Sequence, residues 1–323
     1  MFRLIVTAVA ALVLSGQPSQ SLRPDPPITC DACDEWNQPR EPFRIFGNAY
    51  FVGTAGLSAI LITSDRGHIL LDGGLSQSAP VIDANIRKLG FKTEDVKLIV
   101  NSHAHYDHAA GIAALQRASG AIVAATASGA QALQRGENTP DDPQYGFGHD
   151  ANRFPPVKNV RVVKDQEVIE IAGLAIQAHD TAGHTPGSTT WTWRSCEGTR
   201  CLSLVYADSL TAVSAPGFRF TGDAKTPSRV EKFRQSIATV AALPCDIVIT
   251  THPSATNLDG KLKRRLALSE SGGRASGTLG GRVEGAERPV VDPLIDPQGC
   301  RALAAAAAKT LDARVAEETG KKK

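Results

Sequence analysis

The sequence lacks any strong excess of charge of one sign. Its 35 Lys and Arg residues and 33 Asp and Glu residues leave a formal net charge of +2, so neither a nucleic-acid partner nor an anionic membrane surface is indicated. The one basic run is the final KKK, and we interpret residues 319–323 as a tail. An apolar content of 42% and a charged content of 21% are typical of an ordinary globular protein.

Long hydrophobic runs are also missing, except near the N-terminus. Residues 4–14, LIVTAVAALVL, follow Arg3 and are too short to span a bilayer as a stable anchor. This pattern predicts a signal peptide at residues 1–21 and export to the periplasm. No cysteine follows the apolar run, which argues against lipid attachment. We therefore expect no membrane contact after the signal is removed.

Cysteine is scarce but even in number, with six in the chain. An exported protein meets an oxidising compartment, where disulfides form, and six cysteines allow about 15 pairings. A cysteine-based zinc site would need a second cysteine pair at suitable spacing, which the sequence lacks. Cys196 and Cys201 are close in sequence, which favours their pairing. A Cys245–Cys300 bond would tether the last helix to the core, and Cys30–Cys33 then remains by elimination.

Helical and extended patterns alternate along the chain. Short apolar runs from Phe43 onward are bounded by glycine and polar turn residues, as in hairpin-connected strands, and KLIVNS at 97–102 is typical of a buried strand. Apolar spacing and composition predict helices at 78–91, 109–120, 128–136, 229–243 and 301–318. We therefore expect one α/β domain in layers over residues 43–318.

Three segments have little regular pattern. Residues 22–42 are rich in proline and polar residues, which predicts an irregular N-terminal arm. Residues 136–156 contain four prolines and three glycines, and long loops of this kind are often functional. Residues 258–299 are rich in Gly, Ser and charge, which predicts a mobile and largely unstructured insertion that hangs free or lengthens a rim of the groove.

The hexapeptide HAHYDH, residues 103–108, places four metal-binding groups directly behind the strand KLIVNS. The chain has only eight histidines, and three of them lie here. In an extended chain, alternate residues point the same way, so His103, His105 and Asp107 share one face. A helix starting there would let Asp107 and His108 point into a common space. Imidazole and carboxylate are the usual zinc ligands when thiolate is absent.

Two further histidines occupy similar positions. His184 lies in the loop TAGHTPGS behind a strand, and His252 follows the strand DIVITT. With HAHYDH they make five histidines and one aspartate, too many ligands for one tetrahedral zinc and enough for two with open positions. Asp72, at the end of another strand, is expected to accept a hydrogen bond from a ligand histidine or from the HAHYDH backbone. We expect the other histidines, His68, His149 and His179, not to bind metal.

The whole pattern resembles the metallo-beta-lactamase superfamily, and in particular the third subclass of class B beta-lactamases. The resemblance covers roughly residues 43–256 and rests on these blocks in order: NAYFVGTAGLSAILITS, LLDGGL, SHAHYDHAAGIAALQ, DDPQYG, AGHTPGSTTWTW, VYADSLTAVSAPGFRF and LPCDIVITTHP. It implies a four-layer αββα sandwich, with two sheets face to face and helices outside.

The resemblance also implies the metal ligands and the reaction. It assigns His103, His105 and His184 to a first zinc and Asp107, His108 and His252 to a second. The expected activity is a zinc-dependent beta-lactamase, in which a metal-bound hydroxide opens the ring of an antibiotic and confers resistance. Asp107 is the expected catalytic residue, which orients the nucleophile. The expected partner is a small-molecule beta-lactam, and we expect a monomer.

Substrate contacts are expected from two places. The resemblance implies that Ser209 and Thr211 bind the carboxylate of the beta-lactam, although both could instead bond their own backbone. Tyr145 and Phe147, in the irregular loop, are expected to cover one side of the groove, or else to anchor that loop.

Two other functions stay open at this point. Same-fold hydrolases of thioesters carry an aspartate that bridges both metals, so a bridging Asp208 would favour a thioester or lactone substrate. The remaining alternative is an exported zinc-binding protein without turnover.

Overall fold

The computed structural model describes residues 22–224, 226–270 and 291–320. The predicted signal peptide, residues 1–21, lies outside this part of the chain. Among the described residues, no helix combines the length and the apolar character needed to cross a membrane.

Two β-sheets form the centre of the molecule. The first has seven strands in chain order, and its last four strands are parallel: Phe43–Phe46 (β1), Ala49–Phe51 (β2), Ile60–Ser64 (β3), Gly67–Leu71 (β4), Val96–Val100 (β5), Ile122–Thr126 (β6) and Val160–Val163 (β7). The second has five strands in the order β12-β11-β10-β9-β8, with these bounds: Val168–Ile171 (β8), Leu174–Asp180 (β9), Thr189–Glu197 (β10), Arg200–Ala207 (β11) and Ile247–Thr250 (β12).

The sheets pack face to face around an apolar core. Alternate residues of β4 and β5 point into it, so Ile69 and Leu71 are buried between the sheets while Leu70 faces the other way. Trp191 and Tyr206 of the second sheet are fully buried on the opposite side of this core. Because both faces of each sheet are covered, the residues that point to either side of these strands are apolar, and the strand sequences are continuous apolar runs.

Helices cover the two outer faces. The α-helices of the described residues are Cys33–Trp36 (α1), Ser78–Lys88 (α2), Tyr106–Ala109 (α3), Ile112–Ser119 (α4), Ala127–Arg135 (α5), His149–Asn152 (α6), Val230–Ala242 (α7), Leu258–Glu270 (α8) and Gly299–Glu318 (α9). Helices α2, α4 and α5 pack on the first sheet, and α7 and α9 pack on the second. The predicted four-layer αββα sandwich is therefore confirmed.

Three predictions from local pattern need correction. Residues 258–299 were expected to lack structure, but Leu258–Glu270 is a helix. Its Gly260 and charged residues hide the helical signal, whereas Leu258 is buried against the core between the sheets. The expected irregular arm contains the short helix α1, and the expected loop at 136–156 contains α6. Residues 271–290 of the predicted insertion lie outside the described residues.

All six cysteines form disulfides, in the predicted pairs. Cys30–Cys33 links two nearby residues within the N-terminal arm, and Cys196–Cys201 joins the end of β10 to the start of β11 at their hairpin. Cys245–Cys300 links the residues just before β12 to the first turn of α9. The covalent frame therefore ties the last helix to the sheet that it covers.

Candidate metal centre

The candidate ligands gather where strands end. HAHYDH follows β5, His252 follows β12, and His184 lies in the turn between β9 and β10. The parallel pairing of β4 with β5 and of β11 with β12 brings these carboxyl ends to one edge of the sandwich. Sites in α/β proteins commonly form at such ends.

A first cluster contains three buried histidines. The ring centroids of His103, His105 and His184 lie 4.7–4.9 Å apart. One ring nitrogen of each lies within 4.8 Å of the corresponding nitrogen of the other two. Three convergent nitrogens at this spacing match the donor set of a zinc ion with an open position.

A second cluster adjoins the first and contains Asp107, His108 and His252. Oδ2 of Asp107 is 3.1 Å from Nε2 of His108 and 3.2 Å from Nε2 of His252. The two Nε2 atoms are themselves 3.3 Å apart. His103 joins the clusters, because its ring centroid is 4.5 Å from that of His108. The structure thus brings all six predicted ligands together, while their binding of metal stays a prediction.

In two histidines of the first cluster, a carboxylate contacts the ring nitrogen that points away from the centre of the cluster. Nδ1 of His103 is 2.6 Å from Oδ1 of Asp208, and Nε2 of His105 is 3.2 Å from both oxygens of Asp142. A carboxylate on one ring nitrogen orients the ring and makes the other nitrogen a better ligand. In this structure, Nε2 of His103 is buried and has no hydrogen-bond partner. A metal ion would satisfy this nitrogen, so the residues present fit such a group.

Backbone carbonyls orient two other histidines in the same way. Nδ1 of His184 donates to the carbonyl of Thr211 at 2.9 Å, and Nδ1 of His252 lies 3.2 Å from the carbonyl of Gly56. Each ring therefore directs Nε2 toward its cluster. The same tautomer follows for both rings, since a carbonyl can only accept.

Burial and neighbouring charge set the protonation states. Burial, reinforced by the adjacent histidines, lowers the pKa of His103 well below its ordinary value and that of His184 to about 3. Neutral imidazole is the form that binds metal. Burial alone would raise the pKa of Asp107, but the charge and hydrogen bonds of His108 and His252 outweigh it and hold that pKa well below its ordinary value. Asp107 is therefore ionised at neutral pH.

Asp72 supports the start of the ligand loop. Its Oδ1 accepts a hydrogen bond from the backbone N–H of Ser102 at 2.7 Å, and its Oδ2 accepts from the Ser102 hydroxyl at 2.6 Å and from the Tyr206 hydroxyl at 2.8 Å. Asp72 adopts φ +60° at the end of β4. It thus fixes the backbone at Ser102, immediately before HAHYDH, whereas the sequence predicted a bond to a candidate ligand histidine or to the HAHYDH backbone itself.

A cavity of about 550 Å³ opens beside the clusters. Ser209 and Thr211 line it, and the Ser209 hydroxyl lies 2.9 Å from that of Thr251. Tyr145 and Phe147 are not among the lining residues. Phe147 is 47% exposed. The assignment of these two aromatic residues to substrate therefore stays a prediction that the cavity does not support.

Three residues of the site were not predicted from the sequence. Asp142 holds His105, and Gln144 and Trp36 line the cavity. The ring centroid of Trp36 lies 5.2 Å from that of His252. Asp142 stands in DDPQYG, a block that matched the family, but its carboxylate carries no signal of its own. Nothing in the sequence of the N-terminal arm indicates that Trp36 packs against His252.

The remaining histidines lie away from both clusters, as expected. His68 packs edge-on against Phe91, and His149 pairs with Glu137 on the surface. His179 is held between Gln166 and Thr192.

Comparisons with known proteins agree with this geometry. Residues 52–252 match the model of the metallo-beta-lactamase superfamily. The structure of Rm3 metallo-beta-lactamase aligns with a TM-score of 0.79 and 47% identity, over 90% of this chain and 99% of that one. MEM-A1, a subclass B3 metallo-beta-lactamase from a soil metagenome library, aligns with a TM-score of 0.77 and 46% identity, over 89% of this chain and 100% of that one.

A curated relative carries a different name. Hydroxyacylglutathione hydrolase of Anaeromyxobacter dehalogenans (strain 2CP-C) is 31% identical over 196 residues, which are 60% of this chain and 61% of the relative. From its family match, its two-sheet fold and its structural neighbours, the chain belongs to the metallo-beta-lactamase superfamily.

Proposed function

We propose that this chain is a dizinc beta-lactamase that opens the ring of beta-lactam antibiotics and so confers resistance. The observation that carries the proposal is the pair of adjoining clusters at one cavity, with three histidines in one and Asp107, His108 and His252 in the other. The similarity to Rm3 and MEM-A1, which are named as metallo-beta-lactamases, supports this substrate class.

The donor set favours zinc. His103, His105 and His184 would hold one ion, and Asp107, His108 and His252 the other, since neutral imidazole and carboxylate suit zinc and no thiolate is present. When bound, the ions supply an acidified water as nucleophile and positive charge beside the scissile carbonyl. Each ion needs an open position for this role, and three protein ligands leave one.

Asp107 is the proposed catalytic residue. Its carboxylate is ionised at neutral pH because His108 and His252 oppose the effect of burial on its pKa. An ionised carboxylate at this place can orient the nucleophilic water and accept its proton. The buried position of Asp107 in α3 and its contacts to both histidines keep the carboxylate in place.

Ser209 and Thr211 are the proposed contacts of the substrate carboxylate. Both line the cavity, and no Lys or Arg is among the described residues that line it. Their hydroxyl groups are neutral donors available to an anionic substituent. Thr211 also bonds to His184 through its carbonyl, so carboxylate binding and ligand orientation share one loop.

A thioester or lactone hydrolase is the second candidate, because the curated relative is named hydroxyacylglutathione hydrolase. That substrate class would call for Asp208 to bridge two metals. Here, Oδ1 of Asp208 lies against Nδ1 of His103, which is the ring nitrogen away from the cluster. This contact supports an orienting role for Asp208 and favours the beta-lactam substrate.

A three-substrate comparison tests the proposal. Purified protein loaded with zinc is assayed on a chromogenic cephalosporin, a homoserine lactone and a glutathione thioester, and bound zinc is measured on the same sample. We expect two zinc ions per chain, strong preference for the cephalosporin, and activity that a chelator abolishes and zinc restores. A zinc-replete protein that does not hydrolyse the cephalosporin would refute the proposal, and one inactive on all three substrates would be a binding protein.

Export to the periplasm and a monomeric state are also proposed. The predicted signal peptide supports export, and the three disulfides suit an oxidising compartment. Fractionation of cells that express the full chain should place both activity and the processed chain in the periplasm.

A further inference from the structure

The cavity extends beyond the metal clusters to the C-terminal helix. Four residues of α9 line it: Leu303, Ala306, Ala307 and Thr310. Their spacing of three, four and seven residues places them on one face of the helix. This face contacts the turn Pro253–Thr256, which follows the candidate ligand His252, and Ser254 and Ala255 of that turn also line the cavity.

The far end of the cavity is mostly apolar. Leu210 and Val213 also line it, and Val213 is 48% exposed, which is high for a large apolar residue. The acidic residues among the described lining, Asp107 and Asp208, both belong to the metal end. This division into a charged end and an apolar end suits a ligand with both kinds of group.

The α9 wall is held in place by covalent and apolar contacts. Cys300, in the first turn of α9, is bonded to Cys245 just before β12. Ala304 and Leu311 are buried against Phe233 and Val240 of α7. A preformed wall costs little ordering when a ligand packs against it. The exposed Ala306 has a small side chain, which leaves room on the cavity side.

The position of Ser209 within the cavity indicates which part of a bound beta-lactam would contact the α9 face. Ser209, the proposed carboxylate contact, bonds to Thr251, which precedes His252. Leu210, the residue after Ser209, belongs to the same buried apolar cluster as Ala304 and Ala307 of α9, and the same cavity is lined by Ser209 and by the α9 face. A ring whose carboxylate is held at Ser209 therefore extends its neighbouring substituent toward α9.

We propose that the α9 face, together with Val213, is a subsite for the apolar substituent that neighbours the ring carboxylate of the beta-lactam. The proposal rests on the beta-lactamase function proposed above. It assigns part of the substrate preference to the C-terminal helix and to its disulfide, and not to the aromatic residues of the 136–156 loop.

The test uses Ala306→Phe, which adds bulk at the centre of the wall, and Ala305→Phe as the matched control. Both alanines are exposed on α9, but Ala305 does not line the cavity. The substrates are two cephalosporins with the same acyl group, one with a methyl group and the other with a dinitrostyryl group at C3. Ala306→Phe should lower the ratio of kcat/KM for the large substrate to that for the small one by on the order of tenfold, a typical discrimination by an apolar pocket.

Three controls make the result decisive. Zinc content and the thermal midpoint should stay unchanged in both variants, and Ala305→Phe should leave the ratio unchanged. A ratio that Ala306→Phe leaves within about twofold of wild type, or an equal loss on both substrates, would overturn the subsite. Failure of the wild-type protein to hydrolyse either cephalosporin would instead refute the beta-lactamase function itself.

Discussion

Asp107 and Ser209 face the same cavity but should affect catalysis differently. Asp107 contacts two candidate ligand histidines and is ionised, whereas the Ser209 hydroxyl bonds to that of Thr251. An interaction with the reacting atoms lowers kcat when it is removed, while a contact that is equal in ground and transition states raises KM.

We therefore expect Asp107→Ala to lose nearly all turnover and Ser209→Ala to raise KM several-fold with little change in kcat. Steady-state kinetics on a chromogenic cephalosporin measures both effects. Circular dichroism and zinc content would verify that Ser209→Ala keeps its fold and its metal. Equal effects of the two changes on kcat would show that the assigned roles are wrong.

Asp142 is expected to orient His105 for zinc binding. It contacts Nε2 of His105 with both oxygens at 3.2 Å, and the charge of His105 contributes to lowering the pKa of Asp142 although burial opposes this. Asp142→Asn should weaken zinc binding by roughly 10–100-fold, because the ring loses the carboxylate that orients it.

Competition with a chromophoric chelator measures that loss. Asp141→Asn is the matched control, since Asp141 is an exposed neighbour whose nearest ion-pair partner is Arg229 at 3.9 Å. Equal zinc affinity in Asp142→Asn and in the wild type would contradict the orienting role.

A site residue could be predicted only where a local sequence pattern distinguishes it from an ordinary polar or apolar residue. The six candidate ligands stand out because imidazole and carboxylate recur behind strand ends, as in HAHYDH and in the loop of His184. Asp142 and Trp36 could not be found in this way. Each acts through a contact between segments distant in sequence, and neither has a local pattern that distinguishes it from an ordinary polar or apolar residue.

Helix α9 is anchored at its C-terminal end as well as by the disulfide. The carboxylate of Glu318 accepts hydrogen bonds from the backbone N–H groups of Phe220 and Thr221 and from Arg314. Burial opposes ionisation, but these bonds hold the pKa of Glu318 below its ordinary value of 4.5. The last turn of the helix is thereby joined to the loop that follows β11.

This anchor should depend on pH. Because the pKa of Glu318 is lower in the folded state, its contribution to stability is present above the ordinary value and is lost as pH falls through the folded pKa. We expect Glu318→Gln to lower the free energy of unfolding by about 1–2 kcal/mol at pH 7 and by less at acidic pH. Urea denaturation at several pH values measures this, with the exposed Glu317→Gln as control. An equal loss at every pH would contradict the ionic anchor.

Helix α8 shows where prediction of elements failed. Its sequence contains Gly260 and several charged residues, so its apolar periodicity is weak. The helix is stabilised by long-range contacts, in which Leu258 packs into the core and Arg265 pairs with Asp292 at 2.9 Å. By contrast, α4 has a clear apolar face and ends at Gly120 with φ +69°, a stop that the sequence indicates directly.

At the scale of the whole molecule, metal should stabilise the fold. Several buried donors converge at one edge of the sandwich, and Nε2 of His103 has no partner among the described residues. A ligand that binds only the native state raises stability by about 2.7 kcal/mol at a free concentration of roughly 100 times Kd. Chelation should therefore lower the thermal midpoint, and zinc should restore it.

Differential scanning fluorimetry checks this, with magnesium as the control ion. Magnesium prefers oxygen ligands and should not restore the midpoint. A midpoint that is insensitive to chelator in a protein shown to have lost its zinc would contradict the linkage between metal and fold.

The apolar runs of strands such as β4 and β5, with helical patterns between strands, predicted one α/β domain in layers, and the family resemblance implied the four-layer sandwich. The order of strands in each sheet was not predictable, since pairing depends on contacts between distant segments. The parallel pairing of β11 with β12, for instance, joins strands separated by α7.

The disulfide between Cys245 and Cys300 also has a consequence for the order of events during export. All six candidate ligands precede residue 253, whereas α9 begins at Gly299. A chain that emerges from its N-terminal end can therefore gather its metal ligands before the last wall of the cavity arrives. We therefore expect oxidation of the Cys245–Cys300 pair to fix this wall of the cavity after the candidate ligands are in place.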